Sequence, residues 1–373
     1  MLTQPLAEAI AEAEAIITGA KPVKTEQDLR EGYDYLAGCV QAALRMAWAY
    51  QPDAPQFVTS TGPYMKYGLD NPDTLYLHAY LRPGKEYVLT GRRGSTADLN
   101  FQILNGDYTP SLVPGSLTAF DDRELSVAED GSFEFPLTAP EGGSMLVVRE
   151  CYSDWATERR GTLAISPVDP PRVAAGDPRK RYRVAGKMLV SQIKTFLAFP
   201  EWFYLNEPVN TLTAPRLTPG GLATQFSSVG HYDLADDEAM IVTVPRAWNV
   251  PYQGIQLGSI WYISLDYINH QTSLTADQAQ ADPDGMLRFV ISERNPGVAN
   301  WLERTGHDRG YIQLRWQHLS ADLTDADGPT TEVVPFDALP DRLPFHEQSR
   351  ISTDQYEARI AARRTAVAER MVF

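Results

Sequence analysis

Apolar residues at Leu6, Ile10, Ala13 and Ile17 recur at spacings of three and four, which predicts a first helix opened by Thr3 and stopped by Gly19. Leu29, Leu36, Val40 and Leu44 continue that spacing, and Thr25 with Asp28 three residues on forms an acidic capping box that opens a second helix. From Phe57 the period changes. Short alternating runs at Thr74 to Leu81, Leu99 to Leu104, Phe133 to Leu137, Met145 to Arg149 and Leu163 to Ser166 are broken by Pro-Gly, Asn-Gly and Asp-Gly pairs, the pattern of an antiparallel sandwich. In the first run Leu75, Leu77, Ala79 and Leu81 point one way, and Tyr76, His78 and Tyr80 the other. One face is core, and the other puts chemistry directly behind the polar turn Asp70-Asn71-Pro72-Asp73.

Prolines between Pro167 and Pro178 mark a linker or boundary near mid-chain. Beyond it, Leu189, Ile193 and Leu197 predict a helix from Tyr182 to Ala198 ended by Pro200. A second β region follows, with runs at Thr224 to Val229, Ala239 to Val244, Ser259 to Tyr267, Met286 to Ile291 and Tyr311 to Leu319. Asn295-Pro296 has the form of a cap and a first-turn proline, so a short helix is expected through Trp301 and Leu302 to Gly306. Thr353 to Arg370 is an amphipathic, arginine-rich helix expected to pack on the body or on a partner subunit, which makes a homo-oligomer one expectation. No fixed-period repeat is present. The expected fold is mainly β with α additions, in two antiparallel β-sandwich or jelly-roll-like halves. Its parts are N-terminal helices (1–50), a first β domain (51–166), a Pro-rich linker (167–181), a central helix with the second β domain (182–345), and a C-terminal helix (346–373).

Composition narrows the function classes. A formal charge of −15 and an isoelectric point near 4.9 oppose binding to phosphate backbones, so nucleic acid is not an expected partner. No stretch reaches the roughly 18 apolar residues that span a bilayer. Glu8, Glu12 and Glu14 interrupt the first apolar stretch, which excludes a signal peptide and makes a cytoplasmic protein the expectation. Cys39 and Cys151 fit reduced structural thiols rather than a disulfide framework.

Asn71-Pro72-Asp73-Thr74-Leu75-Tyr76 occurs together with Trp261-Tyr262-Ile263-Ser264, Asn269-His270-Gln271-Thr272-Ser273-Leu274, Asp284-Gly285, Asn295 through Leu302, Thr305-Gly306-His307 and Arg309-Gly310 with Arg315-Trp316. These residues resemble domain-of-unknown-function family twelve-fourteen. The Asn-x-Asp-Thr-x-Tyr element is similar to its frequent partner, family twelve-fifty-four. The resemblance is most specific over Trp261 to Trp316. It implies a mostly β, jelly-roll-like architecture with helical additions and an association with catabolic genes, and no settled mechanism. The family pattern often carries an acidic residue where this chain has Asn295.

No Gly-x-Ser-x-Gly elbow, His-Glu-x-x-His helix, Walker loop or Gly-x-Gly-x-x-Gly fingerprint is present. Asn71 and Asp73 offer oxygen acceptors at a strand entrance, where they orient a ligand or hold a turn around Pro72. Tyr76, His78 and Tyr80 line a pocket or pack beneath the N-terminal helices. His231 and Asp233 have the spacing of two facial-triad ligands, with His307 or His318 as a third and Arg315 for a carboxylate co-substrate. A divalent metal is thus an alternative, including a hard cation at Asp73 or at Asp282 to Asp284. Trp261, Trp301 and Trp316 bring large apolar surfaces to the second half, with Asn269, His270, His307 and Arg315 as interleaved polar groups. The leading expectation is a hydrolase or lyase of small-molecule catabolism. In it His78 or His270 is the acid/base group, Tyr76 and Asn71 orient oxygen, Asp73, Tyr80, Asn269, His307 and Arg315 contact substrate, and Trp261 and Trp301 pack an apolar, oxygenated terpenoid, steroid or aromatic body. The competing classes are a carbohydrate- or lipid-binding module and a non-haem iron oxygenase.

Overall fold

The structure, a computed structural model, describes residues 1–106, 114–169, 176–217, 225–248 and 250–370. Two helices open the chain, α1 (Gln4–Thr18) and α2 (Glu26–Ala49). Thr25 accepts from the Asp28 amide and the Asp28 carboxylate accepts from the Thr25 amide, so the capping box forms as its spacing predicts. Thr3 makes no side-chain cap; the proline in the first turn of α1 presets the backbone instead.

Seven strands make the first half: β1 (Thr74–Tyr80), β2 (Glu86–Arg92), β3 (Asp98–Leu104), β4 (Ser116–Asp121), β5 (Ser132–Thr138), β6 (Met145–Cys151) and β7 (Thr162–Pro167). They form one sheet in the order β1-β6-β3-β4 and another in the order β5-β2-β7. Leu89, Phe101, Phe133, Leu146 and Val148 fill the space between the two sheets. The 167–181 linker lies partly outside the described residues, and within them α3 (Pro178–Phe203) begins at Pro178 with Asp177 as its cap. It runs through Pro200 rather than stopping there. Phe196 and Phe199 are buried beside that proline, and their packing outweighs the one backbone bond it removes.

The second half holds β8 (Thr211–Leu212), β9 (Arg216–Leu217), β10 (Phe226–Asp233), β11 (Glu238–Pro245), β12 (Tyr252–Gly258), β13 (Ser273–Thr275), β14 (Met286–Ser292), β15 (Trp301–Glu303), β16 (Arg309–Gln317) and β17 (Thr330–Pro335). One sheet runs β13-β12-β16-β10-β8 with β9 also on β10, and the facing one runs β15-β14-β11-β17. Val242, Ile255, Leu257, Phe289, Ile312, Leu314 and Trp316 form the core between them. The chain ends in α4 (Leu339–Arg342), α5 (His346–Ser349) and α6 (Thr353–Arg370). Two sandwiches with helical additions are therefore the observed architecture.

Two further local expectations fail. The run Ser259 to Tyr267 is no strand: the strand ends at Gly258, and the chain folds back so that Gly258 bridges Ser264, with Tyr262 at φ 57°. Asn295 opens no helix either. Its Oδ1 accepts from the Gly297 amide, Gly297 takes a positive φ, and Trp301 and Leu302 enter two different cores on opposite faces of a strand parallel to β14. Trp261 and Ile260 seal the helical layer, packing with Ile17, Tyr35, Cys39, Leu189 and Ile193.

Candidate functional site

The two sandwiches meet through polar faces. Because Leu99, Phe101 and Ile103 of β3 point into the first core, Asp98, Asn100 and Gln102 point away from it; Arg149 of β6 lies beside Asn100 in register, and Tyr76 of β1 beside Arg149. The same alternation on β16 sends Ile312, Leu314 and Trp316 inward and Gln313, Arg315 and Gln317 outward, beside Ser227 of β10 and Gln256 of β12. Most of these polar residues are buried, so the seam between the halves is built from hydrogen bonds. The Tyr252 hydroxyl donates to Asp73 Oδ2 at 2.7 Å, Gln256 Nε2 donates to the Asp70 carbonyl at 2.9 Å, and Arg315 Nη2 donates to the Leu69 carbonyl at 2.7 Å.

Asn71, Asp73 and Tyr76 are brought together at this seam. The Asp73 amide donates to Asn71 Oδ1 at 3.1 Å and the Thr74 amide to the Asn71 carbonyl at 3.0 Å, the turn that Pro72 favours. Asp73 Oδ1 accepts from Trp155 Nε1 at 2.8 Å, and the Asn71 amide donates to the Tyr76 hydroxyl at 3.1 Å. Burial raises the pKa of Asp73, against the lowering effect of Tyr252, Arg370 and Trp155. Both oxygens of Asp73 are thus committed to holding the turn.

His78 lies on the same strand in a buried chain: its Nδ1 is 3.1 Å from Ser60 Oγ, which is 2.5 Å from the Tyr67 hydroxyl. Burial, reinforced by the Arg149 guanidinium, pulls the imidazole pKa down to about 3, so His78 is neutral at physiological pH and a weak base. Tyr80 turns to Met46, Leu104 and the edge of the Tyr50 ring.

The remaining predicted site residues are scattered. His270 sits at the surface against Glu303 at 2.9 Å, and Asn269 donates to Asp266. Trp261 and Trp301 are core residues whose indole N–H groups are used on the Asp28 and Ser292 carbonyls. His307 pairs with Glu31 of α2 at 2.8 Å. His231 bonds the Glu207 carbonyl, and Asp233 is exposed beside Asn210. The iron-triad set His231, Asp233 and His307 is therefore not assembled. Among the described residues the group of histidine and carboxylates that converges is Asp98, Asp122 and His318.

The residues that sequence reasoning missed surround a cleft of about 180 Å³ beside the Asn71 turn. Segment 59–65, α2, the start of β1 and α6 supply its walls, with Met65, Pro72, Leu75, Tyr267 and Val367 as apolar lining and Arg45, Thr59 and Arg370 as polar lining. Arg370 Nη2 donates to the Pro72 carbonyl at 2.5 Å, and the guanidinium lies 4.1 Å from the Trp155 ring centroid. Its Nη1 is buried with no hydrogen-bond partner among the described residues. Arg45 has one long bond, 3.4 Å, to the Thr59 carbonyl. The only signal of Arg370 in the sequence was the arginine content of the last helix, and Arg45 on α2 carried none.

A crystal structure of an uncharacterised protein from Burkholderia cenocepacia superposes on this chain with a TM-score of 0.80 at 26% identity, over 90% of this chain and 96% of that one. The VPA0106 protein from Vibrio parahaemolyticus is a remoter likeness, with a TM-score of 0.44 and 13% identity over 81% of this chain and 98% of that one. No family model and no curated protein matches the chain. The Burkholderia cenocepacia protein shares the fold and carries no assigned activity from which one for this chain follows.

Proposed function

We propose that the protein binds a small molecule with an apolar or aromatic body and an anionic oxygen group, in first instance a carboxylate, in the cleft between α2, the Asn71 turn and α6. The observation that carries this reading is that Arg370, whose buried Nη1 has no hydrogen-bond partner among the described residues, lines an otherwise largely apolar cleft together with Arg45. A buried guanidinium N–H without an acceptor costs about 1–3 kcal/mol, and a carboxylate oxygen recovers that cost with a charge-assisted bond. Arg45, which also lines the cleft, adds a second positive charge. Met65, Leu75, Tyr267 and Val367 are suited to a hydrocarbon or ring, and a cavity of about 150 Å³ already admits benzene.

Recognition is supported ahead of hydrolase or lyase chemistry, because His78 is a weak base and His270 lies at the surface against Glu303. A cytoplasmic setting belongs to the same proposal and is supported by the two buried free thiols, Cys39 and Cys151. Among the described residues no helix is long and apolar enough to cross a membrane. The test is thermal unfolding of the protein with matched pairs of acids and amides, such as benzoate with benzamide and phenylacetate with phenylacetamide. The acids are expected to raise the midpoint and the amides to leave it in place. Equal responses within each pair would remove the anionic group from the reading.

A further inference from the structure

We propose that Asp98, Asp122 and His318 form a binding site for a divalent transition-metal ion, of the zinc or manganese kind, that fastens the two sandwiches to each other. One ligand atom from each residue lies within 4.8 Å of the others, and His318 Nδ1 is 3.0 Å from Asp98 Oδ1. Atoms that share an ion at about 2.0–2.2 Å lie no more than about 4.4 Å apart, so the group closes on one with small side-chain movements. Asp98 opens β3 and Asp122 follows β4 in the first half, whereas His318 follows β16 in the second. His318 holds a left-handed backbone, φ 63°, at this place.

Two further observations point to a cation. Asn100 is 3% exposed and its Nδ2 donates to Asp98 Oδ2 at 2.8 Å, while its Oδ1 has no donor among the described residues. Asp122 Oδ2 takes the Arg93 guanidinium at 2.7 Å, while Asp122 Oδ1 is buried with no donor among the described residues. Buried acceptors without donors are rare because each forfeits its hydration, and a cation held by the group satisfies Asp122 Oδ1 directly. Nearby, Arg123 is spent on Asp121 and leaves Asp98 to His318. An imidazole nitrogen with carboxylate oxygens selects zinc or manganese over calcium or magnesium, which prefer all-oxygen sets.

The experiment is calorimetric titration of untagged, EDTA-stripped, full-length protein with zinc chloride and, separately, magnesium chloride. One zinc per chain is expected, bound at least about tenfold more tightly than magnesium, with a higher unfolding temperature in the zinc-loaded protein. Asp122→Asn keeps an oxygen for Arg93 and is expected to fold as the wild type by circular dichroism, yet to lose about tenfold or more in zinc affinity. His318→Asn is expected to lose as much, whereas His231→Gln is expected to bind zinc unchanged. Absence of stoichiometric zinc uptake by the wild type, or undiminished affinity in folded Asp122→Asn, overturns the proposal. If His318→Asn fails to fold, Asp122→Asn decides alone.

Discussion

His78 and His307 share a residue type and titrate in opposite directions. His78 stays neutral down to about pH 3 because burial, and then Arg149, disfavour its cation. Between its ordinary 6.5 and about 3 the unfolded chain therefore binds a proton that the folded one refuses, and stability falls with acidity by up to about 1.4 kcal/mol per pH unit. His78→Gln keeps a polar side chain near Ser60 without this linkage, and its acid-unfolding midpoint is expected at lower pH than that of the wild type. An unchanged midpoint would place the acid lability elsewhere. For His307, burial works to lower the pKa, but the Glu31 carboxylate and the Arg304 carbonyl outweigh it, and the net shift is upward. A raised value means stabilisation that is full below 6.5 and lost as pH rises through the folded pKa. The thermal midpoint of the wild type is accordingly expected to fall as pH rises above 6.5, with a shallower fall in His307→Gln.

At the scale of elements, α2 organises the helical layer. Its capping box does two jobs, since Asp28 Oδ2 accepts from the Lys24 and Thr25 amides and from Arg309 Nη2 at 2.7 Å. Thr25→Ala removes one cap and is expected to cost about 1 kcal/mol in denaturant unfolding. Gly32 faces Trp261, where an added Cβ would lie 2.5 Å from the indole and 2.7 Å from Ile17. Gly32→Ala is expected to destabilise by about 1–3 kcal/mol despite the better helix propensity of alanine, and a stabilised variant would contradict the packing described. These elements were legible in the sequence where one face is buried throughout: the capping box and the bounds of α6 follow directly from spacing. Trp301 and Leu302 misled because a cap-like Asn-Pro pair and two apolar neighbours fit a helix start as well as a strand whose alternate residues enter two cores. Leu89 and Phe120, on the unpredicted strands β2 and β4, belong to the first core, but the adjacent apolar Val88 and Ala119 blur the alternation that would mark a strand.

Over the whole molecule, function was least legible because its determinants meet only after folding. Arg315 and Leu69, or Tyr252 and Asp73, share no local pattern, and a polar strand face looks the same in sequence whether it meets solvent or a second sheet. The C-terminal helix shows the same limit. Its apolar and arginine positions gave its amphipathicity, and the structure spends that face on its own chain: Arg363 donates to the Tyr267 and Ser273 carbonyls and to Ser273 Oγ, each at 3.0 Å, and stacks on Trp155. Arg363→Ala strands these buried acceptors and is expected to cost roughly 3 kcal/mol, to expose α6 to limited proteolysis, and to remove one wall of the cleft. Intact resistance to protease in that variant would show that α6 is held by other contacts.

The central claim is that the cleft recognises an anionic oxygen group through Arg370 with Arg45. Calorimetric titration of an aromatic carboxylate that raises the wild-type unfolding temperature, repeated on Arg370→Gln and Arg45→Gln, tests it most directly. The account predicts saturable binding to the wild type, at least about tenfold weaker binding to Arg370→Gln, and a smaller loss in Arg45→Gln. Equal affinity in all three proteins would contradict it.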